Sequence, residues 1–414
     1  MIEGDYRLSY QECLETLGER LKEPGTDRIQ LLCGPRQVGK TTLLLELADR
    51  MADSAVYVAA DSPEATVPGF WERLWRRIEA MADRGDGPIL LLDEVHMLDG
   101  WASRLKGEWD RQRRRKRTVK IVATGSSALR LATGSRESLA GRFERLTLAH
   151  WSASSLAAAF HLSPHDSAEA LVRMGSYPGA FSLGGDLRRW SAYVRDSILE
   201  PAVGRDILAL APVRRPALLR QVFGVAASSP AQIVSLQKIQ GQLHDKGALE
   251  TIAHYLALLE DAFLVAALPK HSRRGARSRA APPKLVTLDN ALLAVTDPQG
   301  APDRSRDPAR YGAWVENACL SHAWNRGQKV TYWREEPFEI DAVLDGSWGR
   351  WAVEVKTGNT DSASLRGLLE FTRCNPEYRP LVLAEASERK SADRSGIAWM
   401  DWRDFLCGAP GPRA

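Results

Sequence analysis

The sequence predicts an α/β protein in three parts: a parallel sheet covered by helices, a helical middle region, and a smaller carboxy-terminal α/β domain. In the first part, short apolar runs alternate with helix-favouring stretches, as they do when a parallel sheet is buried on both faces. Glycine and proline interrupt a helical pattern in the middle part. Beyond Pro308 a helix precedes several strand-like runs. The apolar runs of the first part are Ile29–Cys33, Ala55–Ala59, Ile89–Leu92 and Val119–Ala123.

The composition is typical of a globular protein, since 44% of the 414 residues are hydrophobic and 26% are charged. No apolar run approaches the roughly 20 residues that cross a bilayer. The first residues lack the basic and apolar stretches of a signal peptide, and the five cysteines show no paired spacing. We therefore expect a cytoplasmic protein with reduced thiols, no zinc site and no membrane partner. A net charge of +4 permits nucleic acid as a partner without requiring it.

A glycine-rich loop follows the first predicted strand. Its glycines let the backbone turn tightly, so that N–H groups point at phosphate oxygens beside the positive end of the next helix. Lys40 would supply a charge to the outer phosphates, and the Thr41 hydroxyl would bind Mg²⁺. The loop therefore predicts a site for ATP and Mg²⁺; the alternative is a turn with an incidental lysine. The loop and the next residue are Gly34, Pro35, Arg36, Gln37, Val38, Gly39, Lys40, Thr41 and Thr42.

Polar residues also follow two later strands. Asp93 and Glu94 end the run Ile89–Leu92. Asp93 would hold Mg²⁺ through water, and Glu94 would polarise a water molecule for attack on the γ-phosphate. Thr124 and Ser126 follow the next strand and are candidate sensors of the γ-phosphate, although either one alone can equally be a helix cap or a turn residue.

These motifs resemble those of a large bacterial and archaeal family of AAA+ ATPases. The stretch Leu139-Ala140-Gly141-Arg142-Phe143 continues the resemblance, which covers nearly the whole chain. In that family an AAA-type domain precedes a domain of unknown function with a restriction-endonuclease-like fold. One departure is Trp151-Ser152, where the family usually has a proline-led turn. The resemblance implies an ATPase core at residues 1–155, a helical lid or connecting region at 156–225, a winged helix-turn-helix at 226–290 and a PD-(D/E)XK-like domain at 305–405.

The resemblance also implies a homo-oligomer, with a hexamer as the family-type expectation. AAA+ ATPases complete each site with an arginine from a neighbouring subunit, which stabilises the transferring phosphoryl group. Arg142 is the first candidate for this arginine, followed by Arg136 and Arg145. For each of them the alternative is a surface or salt-bridged arginine. Arg205 also matches a family position, without an assigned role.

The winged helix-turn-helix is predicted from two helices, Ala231–Leu243 and Gly247–Leu259, and from strands that begin at Ala262 and Lys284. The loop between these strands is basic and would form the wing. Its arginines would neutralise DNA phosphates, which gives salt-dependent but not sequence-specific affinity. The alternative is a packing module with solvated charges. The four wing arginines are Arg273, Arg274, Arg277 and Arg279.

The carboxy-terminal domain carries a candidate nuclease site. A hairpin centred near Ser347 and Trp348 would place Asp341 opposite Glu354. Alternation along the strand would put Glu354 and Lys356 on one face, where the carboxylates would hold Mg²⁺ and the lysine would orient a nucleophile. The alternative is a strand edge charged for solubility. Glu316 on the preceding helix would complete the set Glu316, Asp341, Glu354 and Lys356.

Three functions are therefore open. The first is an ATP-driven motor or remodeler of duplex or branched DNA, such as a Holliday junction. The second is an ATP-regulated, Mg²⁺-dependent DNA nuclease. The third is a nucleotide switch whose winged helix binds DNA or a protein.

Overall fold

The structure is a computed structural model of the 414-residue chain. It divides into two compact units, residues 5–149 and residues 150–414. No helix in the described part of the chain is both long enough and apolar enough to span a bilayer. The structure describes residues 7–24, 28–85, 87–125, 139–210, 213–244, 247–272, 281–358, 365–386 and 396–410.

A six-stranded sheet forms the centre of the first unit. Its strands are β1 (Arg7–Leu8), β2 (Ile29–Cys33), β3 (Ala55–Ala59), β4 (Ile89–Asp93), β5 (Lys120–Thr124) and β6 (Phe143–Leu148). The strand order is β1-β6-β2-β5-β4-β3, and every neighbouring pair is parallel. The carboxyl ends of all these strands therefore lie at one edge of the sheet. At that edge, β5 separates β2 from β4.

The buried strands confirm the predicted pattern of apolar runs. Strands β2 and β3 have the predicted bounds, and β4 extends by one residue to Asp93. Strand β5 begins at Lys120 instead of Val119, and its only polar residue besides Lys120 is the buried Thr124. Trp71 and Trp75 pack with the apolar side chains of the sheet in one core.

Within the described residues, four α-helices connect these strands. The first helix begins at Tyr10, because Ser9 forms a capping box with Glu12. The Ser9 backbone N–H donates to Glu12 Oε2 at 2.8 Å, while Ser9 Oγ accepts from the Glu12 N–H at 3.3 Å. The helices are α1 (Tyr10–Arg20), α2 (Lys40–Met51), α3 (Phe70–Asp83) and α4 (Trp101–Arg114).

The second unit begins with a mainly helical region, as the sequence predicted. Two stretches of π-helix, Val194–Leu199 and Ala202–Asp206, interrupt it, and Arg205 lies in the second of them. The α-helices are α5 (Ala153–Phe160), α6 (Pro164–Met174), α7 (Pro178–Phe181), α8 (Leu187–Tyr193), α9 (Ile207–Leu210), α10 (Pro216–Ala227), α11 (Leu236–Gln242), α12 (Leu249–Asp261) and α13 (Asn290–Thr296).

A three-stranded antiparallel sheet follows helix α10. Its strands are β7 (Gln232–Ile233), β8 (Val265–Leu268) and β9 (Lys284–Thr287), and β9 lies in the middle. The helix predicted from Ala231 is therefore wrong in its first residues. Strand β7 occupies them, and Ser235 caps α11 by accepting from the Lys238 N–H at 3.1 Å.

The carboxy-terminal part contains a mixed five-stranded sheet in the order β10-β11-β12-β13-β14. The first three strands are antiparallel neighbours, and the last two pairs are parallel. The long helix begins at Pro308, because Asp307 caps it and proline is favoured at the first helical position. The elements are α14 (Pro308–Asn325), β10 (Lys329–Glu335), β11 (Phe338–Gly346), β12 (Gly349–Val355), α15 (Arg366–Cys374), β13 (Arg379–Leu383), β14 (Ala398–Met400) and α16 (Trp402–Cys407).

The hairpin between β11 and β12 has the predicted centre. Gly346 pairs with Gly349, and Ala342 pairs with Val353, so the turn lies at residues 347 and 348. The Val355 N–H donates to Asp341 Oδ2 at 2.8 Å. The predicted register of the candidate nuclease residues is therefore confirmed.

One buried histidine on α14 predicts a pH dependence of stability. His322 is 6% exposed, lies against the rings of Trp348 and Phe405, and its Nε2 donates to the Gly408 carbonyl at 3.1 Å. Burial, and secondarily the charge of Arg326, lowers the pKa of His322 from 6.5 to about 3. Between about pH 3 and pH 6.5, His322 therefore binds a proton in the unfolded chain but not in the folded chain. The free energy of unfolding consequently falls as the pH drops below 6.5.

We expect this histidine to remove about 1.4 kcal/mol of the free energy of unfolding between about pH 7.5 and pH 5.5. A His322→Gln variant keeps an N–H donor but does not titrate. Urea unfolding of both proteins at the two pH values measures the effect. A stability difference between them that stays constant with pH would show that His322 is not buried in the neutral form.

Candidate nucleotide-binding site

The glycine-rich loop lies between β2 and α2, at the carboxyl edge of the first sheet. Gly34 has a φ of 148°, and a Cβ atom at this position would collide with the Leu148 carbonyl oxygen at the end of β6. Gly39 has a φ of 100° and forms the N-cap of α2. Both glycines are therefore required by the local backbone, as the sequence predicted for a tight phosphate loop.

Lys40 is 5% exposed, and its ammonium points into the loop that precedes it. Nζ donates to the Gly34 carbonyl at 3.1 Å and to the Pro35 carbonyl at 2.6 Å. Burial lowers the pKa of Lys40, while the nearby charges of Glu94 and Asp93 oppose this shift. An incoming phosphate would offer this ammonium a partner of opposite charge in place of neutral carbonyls.

Asp93 ends β4 with its carboxylate held from three directions. The Thr124 hydroxyl donates to Oδ1, the Glu94 N–H donates to Oδ1 at 3.1 Å, and the Tyr57 hydroxyl donates to Oδ2 at 3.2 Å. Thr124 also accepts from the Glu94 N–H at 3.2 Å. Because β5 lies between β2 and β4, its last residue, Thr124, connects Asp93 and Glu94 to β2, the strand that leads into the phosphate loop.

Tyr57 is a contact that the sequence reasoning missed. Tyr57 lies on β3, which pairs with β4 so that Tyr57 is opposite Leu91 and Ala59 is opposite Asp93. Burial, together with the charge of Asp93, raises the pKa of Tyr57 to about 12. Its hydroxyl therefore stays protonated and donates to the carboxylate. The only sign of this contact in the sequence is the Tyr57 hydroxyl, a polar group on an otherwise apolar predicted strand.

Glu94 has a φ of 47°, in the left-handed region, so the chain turns sharply as it leaves β4. Its Oε2 lies 3.2 Å from Nδ1 of His96. The side chain of Glu94 is 24% exposed and that of His96 is 9% exposed. The candidate water-activating carboxylate is thus more accessible than Asp93 and has an imidazole beside it.

The donor set at this edge fits Mg²⁺ bound with a nucleotide. Such an ion takes one or two protein oxygens and completes its octahedral shell with water and phosphate oxygens. Thr41 lies exposed at the start of α2, and Asp93 is an oriented carboxylate at the end of β4. These are the two protein ligands that the sequence predicted.

Arg142 lies at the opposite edge of the sheet. Its carbonyl accepts from the N–H of Ile29, the first residue of β2, whereas the phosphate loop follows the last residue of that strand. The guanidinium pairs with Asp110 at 3.1 Å and lies 5.3 Å from the Trp109 ring centre. A five-residue strand separates the two edges by roughly 13 Å. Arg142 therefore points away from the phosphate loop of its own chain.

Three arginines of the basic run at residues 111–117 form ion pairs within the first unit. Arg111 and Arg115 approach Glu79 of α3 at 3.0 Å and 3.2 Å, and Arg117 pairs with Asp83. This arrangement agrees with an exposed helix end. Arg145 lies on β6. Six other predicted functional residues lie outside the described residues: Ser126, Arg136, Arg273, Arg274, Arg277 and Arg279.

The four candidate nuclease residues do come together, but with an additional lysine. Lys284 of β9 places Nζ 2.5 Å from Glu316 Oε1 and 3.5 Å from Asp341 Oδ1. Lys356 Nζ lies 2.6 Å from Glu354 Oε1. In the sequence, Lys284 is recognisable only as the start of a strand, and no spacing rule indicates its partners, which lie on α14 and β11.

The carboxylates of this group do not fit a metal ion in this arrangement. Among the described residues, no set of three or more His, Cys, Asp or Glu side chains is placed to hold one. Burial, and secondarily the charge of Asp341, raises the pKa of both Glu316 and Glu354, whereas the ammonium groups of Lys284 and Lys356 act on them in the opposite direction. In this structure Glu316, which was predicted to complete a metal shell, faces the Lys284 ammonium instead.

Family models match three successive segments of the chain. Residues 26–156 match an AAA domain. Residues 165–302 match a domain of unknown function, DUF8612, and residues 311–400 match another, DUF4143. The first unit therefore contains an AAA domain, which supports ATPase as the general class that the motifs predicted.

The relatives extend over most of the chain. An uncharacterized protein of Haemophilus influenzae is 24% identical over 341 residues, which span 77% of this chain and 80% of that protein. An uncharacterized protein of Mycobacterium tuberculosis is 28% identical over 346 residues, or 81% of this chain and 72% of that protein. The structure of the Thermotoga maritima RuvB Holliday junction branch migration motor has a TM-score of 0.34 and 17% identity, covering 63% of this chain and 89% of that one.

A single methyl group at the phosphate loop tests the close approach of Gly34 to β6. We expect Gly34→Ala to lower the free energy of unfolding by about 3 kcal/mol, because it combines an unfavourable φ with a collision against backbone. Gly18→Ala is the matched control, since nothing lies within 4 Å of a Cβ at this position in α1. That change should stabilise the protein by about 0.5–1 kcal/mol.

Chemical unfolding of the two variants and the parent protein measures both effects. Equal stabilities for Gly34→Ala and the parent would mean that the loop does not pack against the end of β6.

Proposed function

We propose that this chain hydrolyses ATP and uses the energy to act on DNA as an oligomeric AAA+ motor or remodeler. The observation that carries the ATPase proposal is the arrangement at the carboxyl edge of the first sheet. There Lys40 lies buried in a glycine-hinged loop, and Thr124 joins the loop's neighbouring strand to the Asp93 carboxylate. The AAA-domain match over residues 26–156 supports the same class.

Each residue would have a separate role in hydrolysis. The loop N–H groups and Lys40 bind the triphosphate, while Thr41 and Asp93 hold Mg²⁺, which neutralises charge on the β- and γ-phosphates. Glu94 orients and polarises the attacking water. Since His96 lies beside Glu94, the carboxylate has to turn from the imidazole toward the water before the reaction. Thr124 reports the γ-phosphate through its bond to Asp93.

Arg142 supports the oligomer proposal. It lies at the sheet edge remote from its own phosphate loop, so an arginine that acts on phosphate from this position would have to act on the site of another subunit. In that role its guanidinium would leave Asp110 and bind the γ-phosphate of the neighbour. A closed ring, with a hexamer as the first expectation, would give every site such an arginine.

The DNA proposal rests on the second unit. The order helix, strand, helix, helix, strand, strand from α10 to β9 supports a winged helix-turn-helix interpretation for this segment. The loop between β8 and β9 carries four arginines. Such a wing would contact phosphates and so bind duplex and branched DNA without reading their sequence. A cytoplasmic location stays a prediction.

The 3.2 Å contact between Glu94 Oε2 and His96 Nδ1 favours one second candidate, a nucleotide switch that hydrolyses slowly and binds DNA or a protein through the same wing. It predicts that turnover stays low with every DNA. The nuclease alternative has less support, because lysine ammonium groups face its carboxylates.

Two substitutions test ATP turnover. Lys40→Ala should abolish ATP binding, because the loop loses its only buried charge opposite the phosphates. Glu94→Gln should bind ATP like the parent protein. It should hydrolyse ATP at least about 100-fold more slowly than the parent, because a general base is removed. Lys22→Ala, an exposed lysine just after α1, is the matched control and should be unchanged. ATP binding is measured by fluorescent-nucleotide titration and turnover by phosphate release. A Lys40→Ala protein that binds and hydrolyses ATP like the parent would refute the proposed site.

A DNA panel tests the DNA proposal. Phosphate release is measured with duplex, single-stranded and four-way-junction DNA, and at least one of these should stimulate it. Product gels should show no Mg²⁺-dependent nicking. Arg273→Ala/Arg274→Ala should weaken DNA binding roughly tenfold and reduce the slope of log affinity against log salt by about 2. Arg188→Ala/Arg189→Ala removes the same charge from the exposed helix α8 and should leave that slope unchanged.

If turnover stayed flat across the panel and only one sequence were bound, the switch would replace the motor. Equal salt slopes for the two double variants would remove the wing from the DNA contact.

A further inference from the structure

Lys284 is buried far more deeply than a surface lysine. It is the first residue of β9, the middle strand of the three-stranded sheet, and it is 1% exposed. A lysine in such a position has to be paired, because the transfer of an unpaired ammonium out of water is strongly unfavourable. Its side chain leaves its own sheet and reaches α14 and β11 of the carboxy-terminal part.

Three oxygen atoms of Glu316 and Asp341 lie within 3.5 Å of the ammonium nitrogen. Nζ lies 2.5 Å from Glu316 Oε1, 3.2 Å from the Asp341 carbonyl oxygen and 3.5 Å from Asp341 Oδ1. Oδ2, the other oxygen of Asp341, accepts from the Val355 N–H. The Lys284 side chain is thus surrounded by oxygen atoms at the distances of hydrogen bonds and ion pairs.

A second lysine pairs with the third carboxylate. Lys356 Nζ lies 2.6 Å from Glu354 Oε1, while Glu354 Oε2 is buried without a hydrogen-bond partner in the described part of the chain. We call these five residues the carboxylate cluster: Lys284, Glu316, Asp341, Glu354 and Lys356. The cluster contains three carboxylates and only two ammonium groups.

The position of Lys284 is chemically that of a bound cation. Carboxylate and carbonyl oxygens are the ligands that Mg²⁺ and Mn²⁺ prefer. Here these oxygens face an ammonium that arrives on a strand from another part of the fold. Removal of that ammonium leaves buried carboxylates with an uncompensated charge and an empty volume the size of an amino group, which are the conditions under which a divalent ion binds.

We propose that the Lys284 ammonium is the resident cation of the carboxylate cluster, and that the cluster becomes a divalent-cation site only when this ammonium is removed. The inference is independent of ATP hydrolysis, since its residues all lie in the second unit. It implies that the carboxy-terminal sheet holds no catalytic metal while β9 occupies its place. It also means that Lys284 attaches the three-stranded sheet to the carboxy-terminal sheet.

Binding of Mn²⁺ to the nucleotide-free full-length chain tests the proposal, with free Mn²⁺ measured by electron paramagnetic resonance. The parent protein and its Glu354→Gln variant should bind equal amounts of Mn²⁺. Lys284→Ala should bind one further equivalent, and Lys284→Ala/Glu354→Gln should lose it again. The phosphate loop contributes the same background to all four proteins, so ATP-site binding does not affect the differences.

Two results would overturn the proposal. The parent could bind one equivalent more than Glu354→Gln, which would show that the cluster takes a metal with Lys284 present. Alternatively, a folded Lys284→Ala could bind no more than the parent, which would show that the ammonium does not hold a cation position.

A stability cycle covers the case in which Lys284→Ala does not fold. Lys284→Met should lower the unfolding temperature by roughly 10 °C, because it leaves a buried carboxylate without its partner. Lys284→Met/Glu316→Gln removes both charges and should recover at least half of this loss. If the double variant were no more stable than Lys284→Met, the ammonium would not balance the carboxylates and the proposal would fail.

Discussion

The hydrogen bond from Thr124 to Asp93 depends on the order of the strands, and the candidate nucleotide site depends on that bond. Strand β5 lies between the strand that leads into the phosphate loop and the strand that ends in the acidic pair. A parallel sheet brings the carboxyl ends of its strands to one edge, so residues 34–41, 93 and 124 meet although the chain separates them widely. If β5 did not lie between β2 and β4, the lysine, the carboxylate and the hydroxyl would be at separate places.

Most of the first unit could be predicted because its signals are local. Buried parallel strands are continuous apolar runs, and the phosphate loop needs glycine at positions with unusual φ, such as Gly39. The hairpin at residues 347 and 348 was also predictable, because alternation and a turn signal fix its register. Tyr57 and Lys284 could not be predicted in their roles. Each acts through the tip of a long side chain on a residue distant in sequence, and no pattern in one sequence encodes such a contact.

The two buried lysines show how surroundings decide what an ammonium does. Burial acts on both in the same direction, yet the pKa of Lys40 falls while that of Lys284 rises. Lys40 donates to neutral carbonyls, whereas Lys284 lies against Glu316 and Asp341. The first lysine is thereby left ready for an anion from outside the protein. The second already has its anions, so it stabilises the fold instead of binding a ligand.

Strand β6 connects the phosphate loop with Arg142. Its last residue, Leu148, fills the space where a side chain on Gly34 would lie, and its first residue follows directly after Arg142. One rigid strand therefore spans the sheet from the phosphate loop to the arginine that would face a neighbour. A shift of the loop when nucleotide enters or leaves would be transmitted along this strand to that arginine. In the proposed ring, this strand would couple the nucleotide state of one subunit to the site of its neighbour.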